Sequence, residues 1–418
     1  MPSSKARRIA CLSVLVCAPG ACGRDSSGVP GGSGSSGAVV ASSGSTASSG
    51  LAGAGANAST GAPTAGSSSG SANGVQDAGL PIDSGNVAAG DSAVPDLSET
   101  GAPRPAAEGG STAWTCPPGP FGNPIPSGAV PVRVQGVPPN DASFNMNNGT
   151  FGIIEGPVWL GDSLYVSEIA AGPNPPASRI LKVTPAGMVS VAVANSGTNG
   201  LAVDRSGNLY GAVHKDGSVS RIDLSAGTAT PVASSFMGAR FNSPNDLALR
   251  SDGTIYFSDP DYQAPSTRPQ LKTRLYRVAP GTNAVTVVDD TLSEPNGVTF
   301  SLDEKTLFVT TPGGIHKYSV MADGSVGPSS VMMPVVSSGD GMTLDCAGNL
   351  YVATPTAIVV LSPSGSEIGR IPVTAGVQSA TNVAFGGADH KTLYITALGS
   401  GTQKGLLQIA LATPGLPY

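Results

Sequence analysis

Residues 199–210 read Asn-Gly-Leu-Ala-Val-Asp-Arg-Ser-Gly-Asn-Leu-Tyr. A polar residue leads an apolar run. The run ends in Asp204-Arg205-Ser206-Gly207-Asn208, residue types that favour tight turns because Gly accepts positive φ and Asp or Asn side chains bond the local backbone. A second run then opens with an apolar residue and an aromatic. The segment predicts a strand, a turn and a second strand.

Working outward, the same arrangement recurs along the chain. Glu155-Gly156-Pro157-Val158-Trp159 is followed by Leu164-Tyr165-Val166, and Asn245-Asp246-Leu247-Ala248-Leu249 by Ile255-Tyr256-Phe257. Asn296-Gly297-Val298-Thr299-Phe300 is followed by Leu307-Phe308-Val309, and Asp340-Gly341-Met342-Thr343-Leu344 by Leu350-Tyr351-Val352. Asn382-Val383-Ala384-Phe385 precedes Leu393-Tyr394-Ile395. The leaders stand 44, 46, 51, 44 and 42 residues apart, and the second run starts 9 to 11 residues after each leader. A period in the forties, with room for about four strands per unit, predicts β-propeller blades. The expected fold is therefore all-β, a six-bladed β-propeller. The segment near Val130 to Val134 is expected to add a strand that closes the ring against the last blade, because closure removes exposed sheet edges.

The repeat occupies the last part of a chain of 418 residues, and composition divides the rest. Lys5, Arg7 and Arg8 precede a short apolar run, Ile9 to Val16, too short to span a bilayer. Residues 1–21 read as a signal peptide of lipoprotein type. Small residues before Cys22 resemble a bacterial lipobox, although Pro19 stands where Leu is usual. Cleavage before Cys22 and lipidation of its sulfur are expected, and with them export and anchoring to the bacterial envelope, at the periplasmic face or the cell surface. Residues 22–113 are rich in Gly, Ser and Ala, with no aromatic until Trp114 except at the boundary itself. Such a segment buries too little apolar surface to offset its conformational entropy and is expected to be a disordered tether. The Gly/Ser run at 31–37 is no phosphate loop, since no strand pattern precedes it. The domain is expected over 114–418. The formal net charge is −6 and no basic run occurs, which speaks against a nucleic-acid or anionic-membrane surface. Membrane contact is expected only through the lipid. Cys116 and Cys346 belong to no C-x-x-C cluster. They are left as a disulfide or two buried thiols, and the reading leans to thiols.

In a propeller the first strand of each blade lines the central channel, so equivalent residues form one ring. The six leaders are Glu155, Asn199, Asn245, Asn296, Asp340 and Asn382, all bearing oxygen. Two carboxylates crowded at one channel mouth repel each other unless a cation lies between them or one is protonated. A site of carboxylate and amide oxygens without His or Cys suits Ca²⁺ first, and Mg²⁺ or Mn²⁺ second. The bland alternative is that the Asn and Asp residues cap turns. It does not serve Glu155, because Glu is no turn former.

Six stretches carry a resemblance: "EGPVW" (155–159), "TNGLAVDRSGNLYGAVH" (198–214), "FNSPNDLALRSDGTIYFSDP" (241–260), "EPNGVTF" (294–300), "GDGMTLDCAGNLYVAT" (339–354) and "TNVAFGGADHKTLYIT" (381–396). In this order they resemble the SMP-30/gluconolactonase/luciferin-regenerating-enzyme family of propellers. The resemblance implies one divalent metal, commonly calcium, held by Glu155, Asn245, Asn296 and Asp340. It leaves Asn199 and Asn382 as substrate-facing or supporting residues. Some members carry an Arg two residues before the equivalent of Asn245 to hold a sugar acid. Here that position is Ser243, with Arg240 nearby, so a gluconolactone-like substrate is not implied by that position.

The function implied is metal-dependent hydrolysis of a lactone, with Asp340 as general base. His214 and Tyr262 are further candidates for the pocket, and Asp259 and Asp261 read more simply as turn residues. His316 and His390 read as solvated. Within 114–418 no G-x-S-x-G motif offers a serine nucleophile. Two rival functions share the residues: hydrolysis of other esters such as organophosphates, and a tethered binding module without catalysis.

Overall fold

The computed structural model describes residues 114–138, 144, 151–332 and 336–416. The expected signal peptide (1–21), the tether (22–113) and Cys22 lie outside the described residues. Among the described residues the regular structure is strand throughout, apart from one 3₁₀ turn at Gly401–Gln403.

Four sheets are four-stranded antiparallel meanders in chain order, spanning 198–233, 247–289, 298–331 and 342–372. A larger, eight-stranded sheet unites the two ends of the domain. One part runs Phe151–Leu160, Ser163–Ile169, Ser178–Val183, Val189–Val193. The other runs Ser379–Gly386, Thr392–Ser400, Gly405–Ala410, Val132–Arg133. The two parts join where the end of Thr392–Ser400 pairs with Phe151, Gly152 and Ile153. The strand expected near Val130–Val134 is Val132–Arg133, which pairs with Leu407 and Gln408. The two ends of the domain are thus stitched into one sheet, with Val132–Arg133 supplying the outer strand to the last unit.

The core lies between sheets. Among the described residues six apolar clusters each combine side chains of two neighbouring units. Val158, Tyr165 and Ile180 meet Leu201, Leu209 and Ile222. Ala212 and Val219 meet Phe257 and Tyr276, and Tyr256 and Leu275 meet Phe300 and Leu307. Ile315 meets Met342 and Leu350. Tyr351 and Ile358 meet Phe385 and Leu393. Tyr394 and Leu406 return to Ile154, Trp159 and Leu164, with the Trp159 and Tyr394 rings stacked at 5.9 Å. The alternating aromatic of each second run fills these interfaces, and each fully buried large side chain contributes roughly 1.5–3 kcal/mol. The first strands lie side by side in a cycle, from Phe151–Leu160 through each sheet in turn and back from Ser379–Gly386 to Phe151–Leu160.

Cys116 and Cys346 form a disulfide across 230 residues of sequence, so the lean towards free thiols is corrected. The bond pins the N-terminal arm to a turn of the 342–372 sheet. The arm's Trp114 lies on His390, with ring centroids 4.2 Å apart, and His390 is buried rather than solvated.

Candidate metal centre

Each leader sits at an irregularity of the strand pair. In the first unit the register shifts between Glu155 and Val158. The same shift falls between Thr198 and Leu201 and between Ala380 and Asn382. In the other three units the leader N–H donates to the second strand, whose own N–H donates back to the residue after the leader. The pairs are Asn245 N to Ser258 O with Ser258 N to Asp246 O, Asn296 N to Thr310 O with Thr310 N to Gly297 O, and Asp340 N to Ala353 O with Ala353 N to Gly341 O. Two residues therefore oppose one, which is a β-bulge, and a bulge re-aims a side chain out of the pleat. That geometry turns the leaders out of the sheets.

The Gly after the leader permits the crowding this requires. Gly156 has φ of +53°, and a Cβ there would strike the Asn199 carbonyl oxygen. A Cβ on Gly341 would overlap the Asn382 side chain. Hydrogen bonds carry the ring around. Gly200 N donates to Asn245 O at 2.7 Å and Gly341 N to Thr381 O at 2.8 Å. Ser258 Oγ donates to Asn296 O at 2.6 Å, Thr310 Oγ1 to Asp340 O at 2.7 Å, and Thr381 Oγ1 to Ile154 O at 2.6 Å. Asn382 Nδ2 donates to Glu155 Oε2 at 3.3 Å and joins the last leader to the first. The six predicted leaders thus stand in one cycle. The buried hydroxyls Ser258, Thr310 and Thr381 that tie neighbouring units were not singled out from sequence, and their only signal was a polar residue in an otherwise apolar second run or before a leader.

Three carboxyl groups share this space. Burial raises Glu155 to about 8, and the Asp246 charge adds to the rise. Burial likewise raises Asp246 to about 7. Asp340 is pushed well above the usual carboxylate range by burial, by Glu155 and by Asp246, against a hydrogen bond from Asn296. Asp246 was missed by sequence reasoning, although it stands beside Asn245 in the same Pro-Asn-Asp run. Its Oδ1 accepts Leu247 N at 2.9 Å and its Oδ2 accepts Val298 N at 3.2 Å, so it also braces the next unit.

The loop after Ile255–Asp259 reaches this centre. Asp259 accepts the N–H groups of Asn242 at 2.9 Å and Ser243 at 2.8 Å, so it ties its loop to the segment before Asn245 rather than capping its own turn as expected. Tyr262 lies beside Asn296 and Asp340, and its hydroxyl donates to Glu294 O at 3.3 Å. Gln263, not singled out from sequence, accepts from Asn199 Nδ2 at 3.5 Å. His214 is packed elsewhere. Its Nε2 meets Pro176 O at 3.0 Å, burial lowers it to about 4, and its charged neighbours are Asp216, Arg240 and Lys215 rather than the ring carboxyls. Arg240 turns to His214 O at 3.0 Å and Phe241 O at 3.2 Å.

The donor set fits a hard divalent cation. Glu155, Asn245, Asn296 and Asp340 offer carboxylate and amide oxygens, and Asp340, raised by the charges of Glu155 and Asp246, would gain from a cation nearby. Among the described residues no trio of His, Cys, Asp and Glu forms a metal cluster, so amide oxygens are needed to complete such a site.

The chain is similar to several known lactonases. The chain is 28% identical to a gluconolactonase of Zymomonas mobilis over 58% of this chain and 75% of that protein. It is 30% identical to a pentonolactonase of Haloferax volcanii over 59% of this chain and 81% of that protein. Among solved structures, a gluconolactonase from Xanthomonas campestris superposes with a TM-score of 0.55 and 28% identity, covering 70% of this chain and 98% of that one. The model of the SMP-30/Gluconolactonase/LRE-like region matches residues 153–399, more than half of the chain, and the protein belongs to that family.

Proposed function

We propose that the chain is a lactone hydrolase built on a six-bladed β-propeller, with a divalent cation, Ca²⁺ before Mg²⁺ or Mn²⁺, held by Glu155, Asn245, Asn296 and Asp340. The observation that carries this reading is a buried polar group drawn from separate units, in which Glu155 and Asp246 raise Asp340, Asn296 bonds Asp340 and Asn382 bonds Glu155. The lactonase names of its relatives support the substrate class. The cyclic order of the first strands supports the blade count.

When bound, the cation supplies Lewis acidity that stabilises charge developing on the lactone carbonyl oxygen. Beside a bound divalent charge the Asp340 carboxyl would be ionised, because opposite charge favours the charged form. Asp340 takes a proton from water as its oxygen adds to the carbonyl carbon. The ring C–O bond then breaks, and the same carboxyl returns the proton to the leaving alkoxide. Glu155, Asn245 and Asn296 fix the geometry, and Asn296 also holds Asp340 by a hydrogen bond. Tyr262, Asn199 and Asn382 border the reacting space.

The export reading is also ours. Cleavage before Cys22 and lipidation there would leave the domain at the envelope on a long tether, with a small-molecule lactone or ester as partner and no nucleic acid. Its support is the sequence pattern of residues 1–22. The hydrolase is tested by following acid release from glucono-δ-lactone with a pH indicator, with and without added Ca²⁺, beside Asp340→Asn. Turnover that needs the cation and Asp340 is expected. Turnover untouched by both chelation and Asp340→Asn would sink the reading.

A further inference from the structure

The ring contains one leader whose amide is half used. Asn199 is 2% exposed, its Nδ2 donates to Gln263 Oε1 at 3.5 Å, and its Oδ1 has no hydrogen-bond partner among the described residues. A buried acceptor left unpaired is costly, so such an atom marks a place for a donor. Asn199 is next to the Glu155 spoke through the close approach of Gly156 to its carbonyl.

Gln263 is equally fixed. It is 8% exposed, and its N–H donates to Ser243 Oγ at 3.3 Å while Ser243 Oγ donates to Pro260 O at 2.9 Å. The Asp259 carboxylate holds Ser243 from below through the backbone. Tyr262, one residue earlier, stands by Asn296 and Asp340. Asn199, Gln263 and Tyr262 are neutral, and the two arginines of this region are engaged away from them. Arg240 bonds His214 O and Phe241 O, and Arg268 pairs with Asp261 at 3.2 Å.

We propose that Asn199 and Gln263 are specificity-determining residues that read a ring hydroxyl of the lactone, with Asn199 Oδ1 accepting from that hydroxyl. This rests on the lactonase reading of the same centre. A site built to hydrogen-bond a substrate hydroxyl discriminates strongly against the analogue that lacks it, because its buried polar groups are then left unpaired. Neither residue is required by the acid–base chemistry at Asp340, so their removal acts on binding.

The test compares glucono-δ-lactone with δ-valerolactone, the same ring without hydroxyls, in the wild type, Gln263→Met and Asn199→Ala, with melting temperatures recorded for each. The ratio of kcat/KM for the hydroxylated over the bare lactone is expected to fall about tenfold or more in both variants, chiefly through KM, as loss of a uniform binding contact predicts. An unchanged ratio in both folded variants overturns the proposal. Absence of turnover on either lactone in the wild type would instead strike the hydrolase reading. The roles of Asn199 and Gln263 would then be decided by binding of 1,5-anhydroglucitol, measured by calorimetry. Binding about tenfold weaker in both variants supports it, and equal binding overturns it.

Discussion

Asp340 and Asp345 stand five residues apart, flanking the two ends of the strand Met342–Leu344, and their surroundings are opposite. Asp345 lies at the turn end. Its Oδ1 accepts Ala347 N and Asn349 N, both at 2.9 Å, and its Oδ2 accepts Asn349 Nδ2 at 2.8 Å and Tyr351 OH at 3.0 Å. Asp340 lies at the axial end and faces Glu155 and Asp246, two groups of its own sign. Burial raises both carboxyls, yet hydrogen bonds answer it at Asp345 while like charge aggravates it at Asp340. A turn carboxyl satisfied by its own loop is scaffold. A carboxyl held against its kind by a bulge is electrostatic strain that the proposed cation would relieve.

The sharpest way to break this contrast is to neutralise each residue. Asp340→Asn is expected to lower kcat/KM for a lactone by about a thousandfold, within the range for losing a general base and a metal ligand. It should leave the metal-free protein at least as stable, because a repelling carboxyl is gone. Asp345→Ala should do the reverse. Loss of a buried acceptor with several donors costs about 3 kcal/mol. Turnover per folded molecule should stay within about twofold, since the change leaves the axial groups that perform general acid–base chemistry in place. Urea melts and a lactone assay on the two variants read both halves. The paired motif at Asp204, Asn208 and Tyr210 is more exposed, so Asp204→Ala is expected to cost less than Asp345→Ala.

Calcium sharpens the contrast from the other side. At a hundred times Kd it should stabilise the folded chain by about 2.7 kcal/mol. That is a rise in Tm of roughly 5 °C for a domain of this size. The effect should vanish in Glu155→Gln and persist in Asp345→Ala. The sign of its pH dependence follows from the shifts. Glu155 at about 8 and Asp246 at about 7 lie above their unfolded values near 4.5 and 3.8, so the folded metal-free chain holds protons that the unfolded chain has lost. Its stability therefore falls as pH rises from about 4 to 8. The cation wants the ionised groups, so the calcium-induced gain in Tm should be larger at pH 8 than at pH 5. An equal gain at both would separate the cation from these carboxyls.

Much of this centre was legible in the sequence because the repeat is positional. An offset of 9 to 11 residues from each second run places Glu155, Asn199, Asn245, Asn296, Asp340 and Asn382 at equivalent bulges, and equivalence alone puts them in one cycle. What the period cannot encode is direction and long-range proximity. Asp246 follows a leader, and only the bulge at Asn245–Asp246 turns it inward as well. Gln263 lies in a long loop outside the repeat, so no register predicts that it meets Asn199. His214 ends a second run just where a pocket residue is expected, but its ring turns to Pro176 O. His390 looked like a surface residue until the arm brought Trp114 over it.

The disulfide gives the smallest expected effect, and the reason is again location. Closing a loop of 230 residues is worth about 5 kcal/mol in the chain-entropy description, if the bond alone held the ends together. It does not. Val132–Arg133 already pairs with Gly405–Ala410, and Phe151–Ile153 with Leu398–Ser400, so strands close the cycle whether or not Cys116 is bonded. Breaking the bond frees an arm that leaves Pro124 O bonded to Ala412 N and Val134 N bonded to Leu406 O. Cys116→Ser is therefore expected to cost less than about 2 kcal/mol, well under the entropic limit for a closing cross-link. Cys346 is at the turn end with Asp345, away from Asp340, so lactone turnover should not change. Differential scanning calorimetry of wild type and Cys116→Ser reads the cost. A fall near the full entropic value would mean that the arm, rather than the strand pairing, keeps the cycle shut, and the axial carboxyls would then depend on a bond formed at the opposite end of their strands.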